Sequence, residues 1–226
     1  ALNGFNFMIN SAVPINDNTE FYAFGGRNYR ATDAYAFSRD NETARNVISI
    51  YPDGFTPRIT SIITDVSASA GIRHRMDNGW RMDFNNTYGK NFFHYDIKNT
   101  INASLEEASP TEFDAGGHSI SQNTTGLDFS KYYKDVMAGA NLAFGMEYRT
   151  ENFIIFSGEE GSYAIYDENG QAVTSPSQVI PVDPITGEER PGGSQGFPGY
   201  SVANKVDKNR SNLGVYGDGE LKLSDN

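Results

Sequence analysis

Three histidines, His74, His94 and His118, are the first residues to weigh for chemistry. They fall on separate predicted elements, with no metal-ligand spacing between them, and His74 shares the parity of its apolar neighbours. No metal site is expected from them. Serine, histidine and aspartate are all present, but nothing resembles the Gly-x-Ser-x-Gly turn of a serine hydrolase. Glu106-Glu107 and Glu159-Glu160 are adjacent pairs. Neighbours on a strand point to opposite faces, so neither pair makes an acid–base couple. Asp167-Glu168-Asn169-Gly170 fails the twelve-residue calcium-loop pattern and fits a hairpin turn inside a loop. The Gly/Pro-rich run 191–199 lacks the Lys-Ser/Thr of a phosphate loop and is expected to be irregular surface. Neither catalysis nor a cofactor is indicated.

What remains are polar side chains that alternate with apolar ones. From Val136 to Arg149 every even position is apolar: Val136, Ala138, Ala140, Leu142, Phe144, Met146 and Tyr148. Gly139, Asn141, Gly145, Glu147 and Arg149 occupy odd positions. Strand side chains alternate between two faces, so this predicts a long two-faced strand over 136–149. Val66, Ala68, Ala70 and Ile72 oppose Ser67, Ser69, Arg73 and Arg75 in the same way. Met82 and Phe84 oppose Arg81, Asp83 and Asn85 beyond an Asn78-Gly79 turn, for which both residues are expected to supply positive φ angles. The polar parity, with Arg73, Arg75, Asn85, Asn141, Glu147 and Arg149, is a candidate binding wall. Phe92, Tyr95 and Tyr163 are candidate ligand contacts in long loops.

These elements form an expected all-β meander of about seven antiparallel strands, near 4–13, 20–30, 65–76, 80–90, 118–130, 136–149 and 209–223. Pro14 is expected to stop the first strand, and the second, with Phe21, Tyr22 and Phe24, is ambiguous in its faces. The turns near 14–19, 77–79 and 131–135 are short, and the connections near 31–64, 91–117 and 150–208 are long. In a meander this sorts short turns to one end and long loops to the other, as in outer-membrane barrels. Phe21, Trp80, Tyr132 and Tyr133 lie beside the short turns as an interfacial girdle would. A secreted β-sandwich, binding glycans for example, also alternates but has no reason to sort its turns.

The net charge of −11 argues against a nucleic-acid partner. Zero cysteines exclude disulfides and thiolate chemistry. No apolar run is long enough for a membrane helix, but a barrel needs only every second residue to meet lipid. The chain opens without a signal-peptide pattern and closes at Leu223-Ser224-Asp225-Asn226, which resembles the start of a turn. An excised piece of a longer protein is the expectation.

In order and spacing, several segments resemble the barrel region of TonB-dependent outer-membrane receptors of the Bacteroidetes-like type. They are Phe21-Tyr22-Ala23-Phe24-Gly25-Gly26, Tyr51-Pro52-Asp53-Gly54-Phe55-Thr56-Pro57-Arg58-Ile59 and Asn86-Thr87-Tyr88-Gly89. Others are Ser109-Pro110-Thr111-Glu112-Phe113-Asp114-Ala115-Gly116-Gly117 and Phe144-Gly145-Met146-Glu147-Tyr148-Arg149. The resemblance covers residues 1–226 as a partial barrel wall. It implies location in the outer membrane of Gram-negative cells and import of a scarce nutrient, without covalent chemistry. The implied partners are that nutrient, a plug domain of the same chain, the TonB protein gripping a missing N-terminal region, and outer-membrane lipid. The isolated fragment, with its raw edges and uncovered apolar face, is expected to curl that face onto itself, refold locally or self-associate.

Overall fold

The computed structural model describes residues 1–224. Asp225 and Asn226, part of the expected closing turn, lie outside the described residues. Seven antiparallel strands form one sheet in the order of the chain. They are β1 (Leu2–Asn16), β2 (Thr19–Tyr35), β3 (Arg58–Arg75), β4 (Arg81–Lys98), β5 (Glu112–Tyr133), β6 (Ala140–Ser157) and β7 (Val206–Leu221). The sheet is an up-and-down meander with two free edges and does not close on itself. The described residues form no second sheet to pack against it, so a sandwich is not the architecture.

The strands run further than the alternation alone outlines, by up to eight residues at the long-loop end. β4 runs through Phe92, Phe93, His94 and Tyr95, where aromatic rings stand on both faces and the apolar alternation is lost. β1 continues through Pro14, which pairs with Glu20 ahead of a register shift. Proline is tolerated there because β1 is an edge strand. The 136–149 expectation needs correction at its start. Val136–Gly139 belong to the β5–β6 turn, with Met137 and Gly139 at positive φ. Met137 and Ala143 are the apolar residues on the otherwise small or polar parity. At Asn78-Gly79 only the glycine has positive φ. The Asn78 Oδ1 instead accepts a hydrogen bond from the Trp80 amide, 3.2 Å away, so the turn is wider than a two-residue hairpin.

Register turns alternation into rows. Val13, Phe21, Ile72, Phe84, Leu127, Met146 and Val215 are consecutive partners across all seven strands. Directly opposed residues share a face, so this is an unbroken apolar row. The row of the opposite parity beside it reads Ala12, Tyr22, Gly71, Asn85, Gly126, Glu147 and Gly214. The face of Tyr22 is thereby settled as the polar one, and that of Phe21 as the apolar one. Phe84 remains 49% exposed, because a single sheet has nothing to cover that row.

The buried core lies not in the sheet but in the long loops, which form a cap at one end. Val47 and Phe55 of the first long loop pack with Ile101 of the second, backed by Ile50 and Tyr51. Phe113 and Ile97 are buried where β4 and β5 enter the cap. Asn102 is fully buried and stitches the second loop to the third. Its Nδ2 donates to the carbonyls of Gly161 and Ala164, each at 2.8 Å. The 191–199 run is not simply irregular surface: Ser194 and Gln195 are buried, and Thr100 donates to the Gln195 carbonyl at 2.9 Å. Asp167 to Gln171 does make the expected hairpin turn, with Gly170 at φ 71°.

Truncating Phe113 to alanine removes a large, fully buried side chain from this cap. A loss of about 3–5 kcal/mol is expected. Hydrogen exchange should locate it in residues 99–113 and their loop partners while the β1–β2 pairing stays unchanged.

Candidate functional site

The polar face carries a hydrogen-bonded network toward the short-turn end, built on one repeated device. Tyr22 of β2 lies over Gly71 of β3 and donates from its hydroxyl to Asp83 of β4 at 2.7 Å. A Cβ on Gly71 would come within 2.5 Å of the ring, so glycine is what lets the tyrosine cross a whole strand. From the other edge, Tyr216 of β7 crosses Gly145 of β6 and donates to Asp128 of β5 at 2.8 Å. Asp83 and Asp128 are direct cross-strand partners. Two opposed carboxylates repel, and the neighbouring groups offset this. Arg73 Nε lies 3.1 Å from Asp83, and its guanidinium sits 4.1 Å over the Tyr22 ring. Asn85 donates to Asp83 as well, at 3.2 Å.

The sequence candidates sort as follows. Arg73 and Asn85 meet at Asp83. Glu147 and Arg149 share the same face and bond each other at 2.6 Å. Arg75 stands directly opposite Arg81, and neither has an acidic partner among the described residues. Asn141 faces Tyr132 and Glu220 on the polar side. That places Tyr132 on the polar face rather than on the apolar face where a girdle residue is expected. Trp80 does join the apolar face, edge-on to Phe144 at 5.4 Å.

Phe92 and Tyr95 are strand residues rather than loop residues, and they point to opposite faces. Phe92 stacks with Phe156 at 5.4 Å on the apolar side. Tyr95 belongs to a cluster on the polar side with Phe93, His118, Phe197 and Tyr200. Phe197 and Tyr200 come from the third long loop, which therefore folds down onto the polar wall. Tyr163 follows a short 3-10 turn in the cap, and no ring contact joins it to that cluster. Tyr216, Asp128, Phe197 and Tyr200 are not candidates from sequence, and His118 is weighed there only as a metal ligand. A tyrosine opposite a glycine on the polar parity is the signal that finds the first two. His94, by contrast, lies beside Asp96 and Asp114 at the β4–β5 bulge.

In the cap, Asp167 and Asp183 are both held below the usual carboxylate range. For Asp167 the causes are the Gln178 side chain first and then the Gln171 amide. Burial alone pushes the Asp183 carboxyl up, but the Thr186 amide and hydroxyl and the charge of Arg190 more than offset it. Comparison with protein-family models, with curated proteins and with solved structures finds no match for this chain.

The depressed values make the cap acid-sensitive. Ionised Asp167 and Asp183 contribute stability that is fully present above the unfolded carboxylate value of about 3.9. It is lost as pH falls through their lower folded values. Pepsin cleavage within 158–205 should rise as pH drops below about 4. Asp183→Asn should loosen the cap at neutral pH and flatten that acid step.

Proposed function

We propose that this chain is a wall segment of an outer-membrane β-barrel and that the intact protein is a TonB-dependent receptor. That receptor binds a scarce nutrient and carries it into the periplasm without chemical change. The apolar parity meets lipid. The polar parity faces the lumen, where a plug domain and the ligand are its partners. TonB supplies the energy through an N-terminal region outside this chain.

One observation carries the barrel part of this reading: the apolar band drifts across the sheet. On β1 the outward apolar run is Phe5 to Ile15, centred on Asn10. Following the register across six pairings, Asn10 arrives at Asn212 of β7. Yet the apolar run of β7 extends from Leu213 to Leu221, centred on Gly217. The band has slid five residues toward the short turns, from Asn212 to Gly217. At about 3.3 Å per residue and about 4.8 Å per strand, that is a slope of roughly 30°. A flat slab of lipid wets a horizontal band, so strands crossing it must tilt by that angle. Barrel strands tilt by about 35–45°. A soluble sheet packed on its own core has no reason for such a drift. Just above the band on β5–β7 the outward positions Ser121, Asn123, Asn152 and Asn209 are polar, with Ile154, Phe156 and Asp207 beyond them.

The transport part rests on the family resemblance and on the polar wall. The mouth cluster of Tyr95, His118, Phe197 and Tyr200 and the Arg73–Asp83 network offer stacking faces and charged hydrogen-bond groups for a ligand or plug.

Leu142→Arg, on the lipid parity, should cost about 2–4 kcal/mol in the full-length barrel folded into bilayers. Asn141→Arg, one residue away, should be much milder. Equal penalties would remove the lipid and lumen assignment. Deleting Phe197–Tyr200 should weaken uptake while leaving barrel assembly intact, as read by heat-modifiable gel mobility.

A further inference from the structure

We propose that His94, Asp96 and Asp114 form a binding site for a divalent transition-metal ion of the Zn²⁺ class, at the point where β4 and β5 leave the wall for the loop cap. One ligand atom from each residue lies within 4.8 Å of the others. His94 and Asp96 are two apart on one strand, so they share a face. Register then sets Asp114 directly opposite Asp96. Two carboxylates in direct cross-strand opposition repel, and a cation between them converts the repulsion into attraction. The imidazole touches both carboxylates, Nε2 at 2.9 Å from Asp114 and Nδ1 at 3.6 Å from Asp96, and an ion, which takes one ring nitrogen, would replace one of these contacts.

The supporting shell holds the ligands in place. The register shifts between Tyr95 and Asp96, and Ala115 is the extra residue. Gly116 follows at φ 76°, and its amide donates to Asp114 Oδ1 at 2.7 Å. The Asp114 amide donates to the Glu159 side chain at 2.9 Å, and the Glu159 amide returns a bond to the Asp114 carbonyl at 3.0 Å. The His94 ring lies beside the stacked Phe92–Phe156 pair, with centroids 6.5 and 5.9 Å away. Orientation of metal ligands by such neighbours is what raises affinity at protein sites. Side-chain rotations moving the ligand atoms by about 1 Å would bring them to the 2.0–2.2 Å that zinc needs. One imidazole with two carboxylates favours a transition ion over Ca²⁺ or Mg²⁺, which take all-oxygen shells. Water would complete the coordination. Since Glu159 opens the third long loop, an ion here ties that loop to the wall.

The test is titration of the full chain with Zn²⁺, followed by calorimetry and by the His94 imidazole NMR signals. Saturable binding of one ion is expected, at least tenfold tighter than Ca²⁺. His94→Gln and Asp96→Asn should each weaken it tenfold or more, whereas His74→Gln and His118→Gln should leave it unchanged. Asp96→Asn is the safer variant for folding, because among the described residues the Asp96 carboxylate pairs only with His94. Non-saturable uptake, or saturable uptake that survives both His94→Gln and Asp96→Asn, would mean adsorption at surface carboxylates and would overturn the site.

Discussion

Everything in this structure depends on the register of six antiparallel pairings. Strand side chains have a period of two, so a one-residue slip at any pairing would move every side chain beyond it to the other face. The pairings hold one parity from β1 to β7, with shifts only near Pro14 and at Tyr95/Asp96. Both shifts lie near strand ends, at the boundary of wall and turn or cap. Between them, seven apolar residues line up from Val13 to Val215, and the polar network lies on the reverse side. A single sheet cannot bury either face itself. One face is left apolar and the other polar, and both are open.

The two ends of the sheet are stabilised by different means. At the short turns, aromatic rings and long polar side chains span several strands: Tyr22 over Gly71, Tyr216 over Gly145, and Trp80 against Phe144. These contacts brace neighbouring strands without a core. At the other end, the long loops supply a core of their own around Ile101 and Phe113, stitched by Asn102 and by Arg190 between Asp183 and the Asn46 carbonyl. The aromatic cluster around Tyr95 couples the two, because Phe197 and Tyr200 descend from the cap onto the wall. A ligand entering from the loop end would meet this junction first.

The meander, the face assignments of Arg73, Asn85, Asn141 and Glu147, and the sorting of short and long connections are legible in the sequence, because alternation depends only on neighbours along the chain. Strand ends are not. At Phe92–Tyr95 both faces carry rings, so the period of two vanishes although the pairing continues. The run at Val136 misleads in the opposite way, since a turn happens to imitate the alternation. The sites are less visible still. Tyr22 reaches Asp83 across an intervening strand, and Asp114 meets His94 only after a long loop and a bulge. Such contacts require the register of several strands at once, which no local pattern contains. The packing of Ser194 and Gln195 beneath a Gly/Pro-rich run is hidden for the same reason, because burial there is decided by the other two loops.

The central claim is that one parity of a tilted sheet meets lipid and the other meets water. This chain has no cysteine, so single cysteines can be placed in it one at a time and spin-labelled once any cysteine elsewhere in the full-length protein is replaced. The decisive measurement is collision of such labels with oxygen and with a water-soluble nickel chelate, in the full-length protein in bilayers. Labels would be placed at each position of 140–149 on β6 and 5–15 on β1. The account predicts a period of two, with Leu142, Phe144, Met146 and Tyr148 open to oxygen and Asn141, Gly145, Glu147 and Arg149 open to nickel. It also predicts that the deepest lipid position on β1 lies nearer the loop end than its register partner on β6 would place it. Accessibility without alternation, or alternation with the deepest positions level across the register, would contradict it.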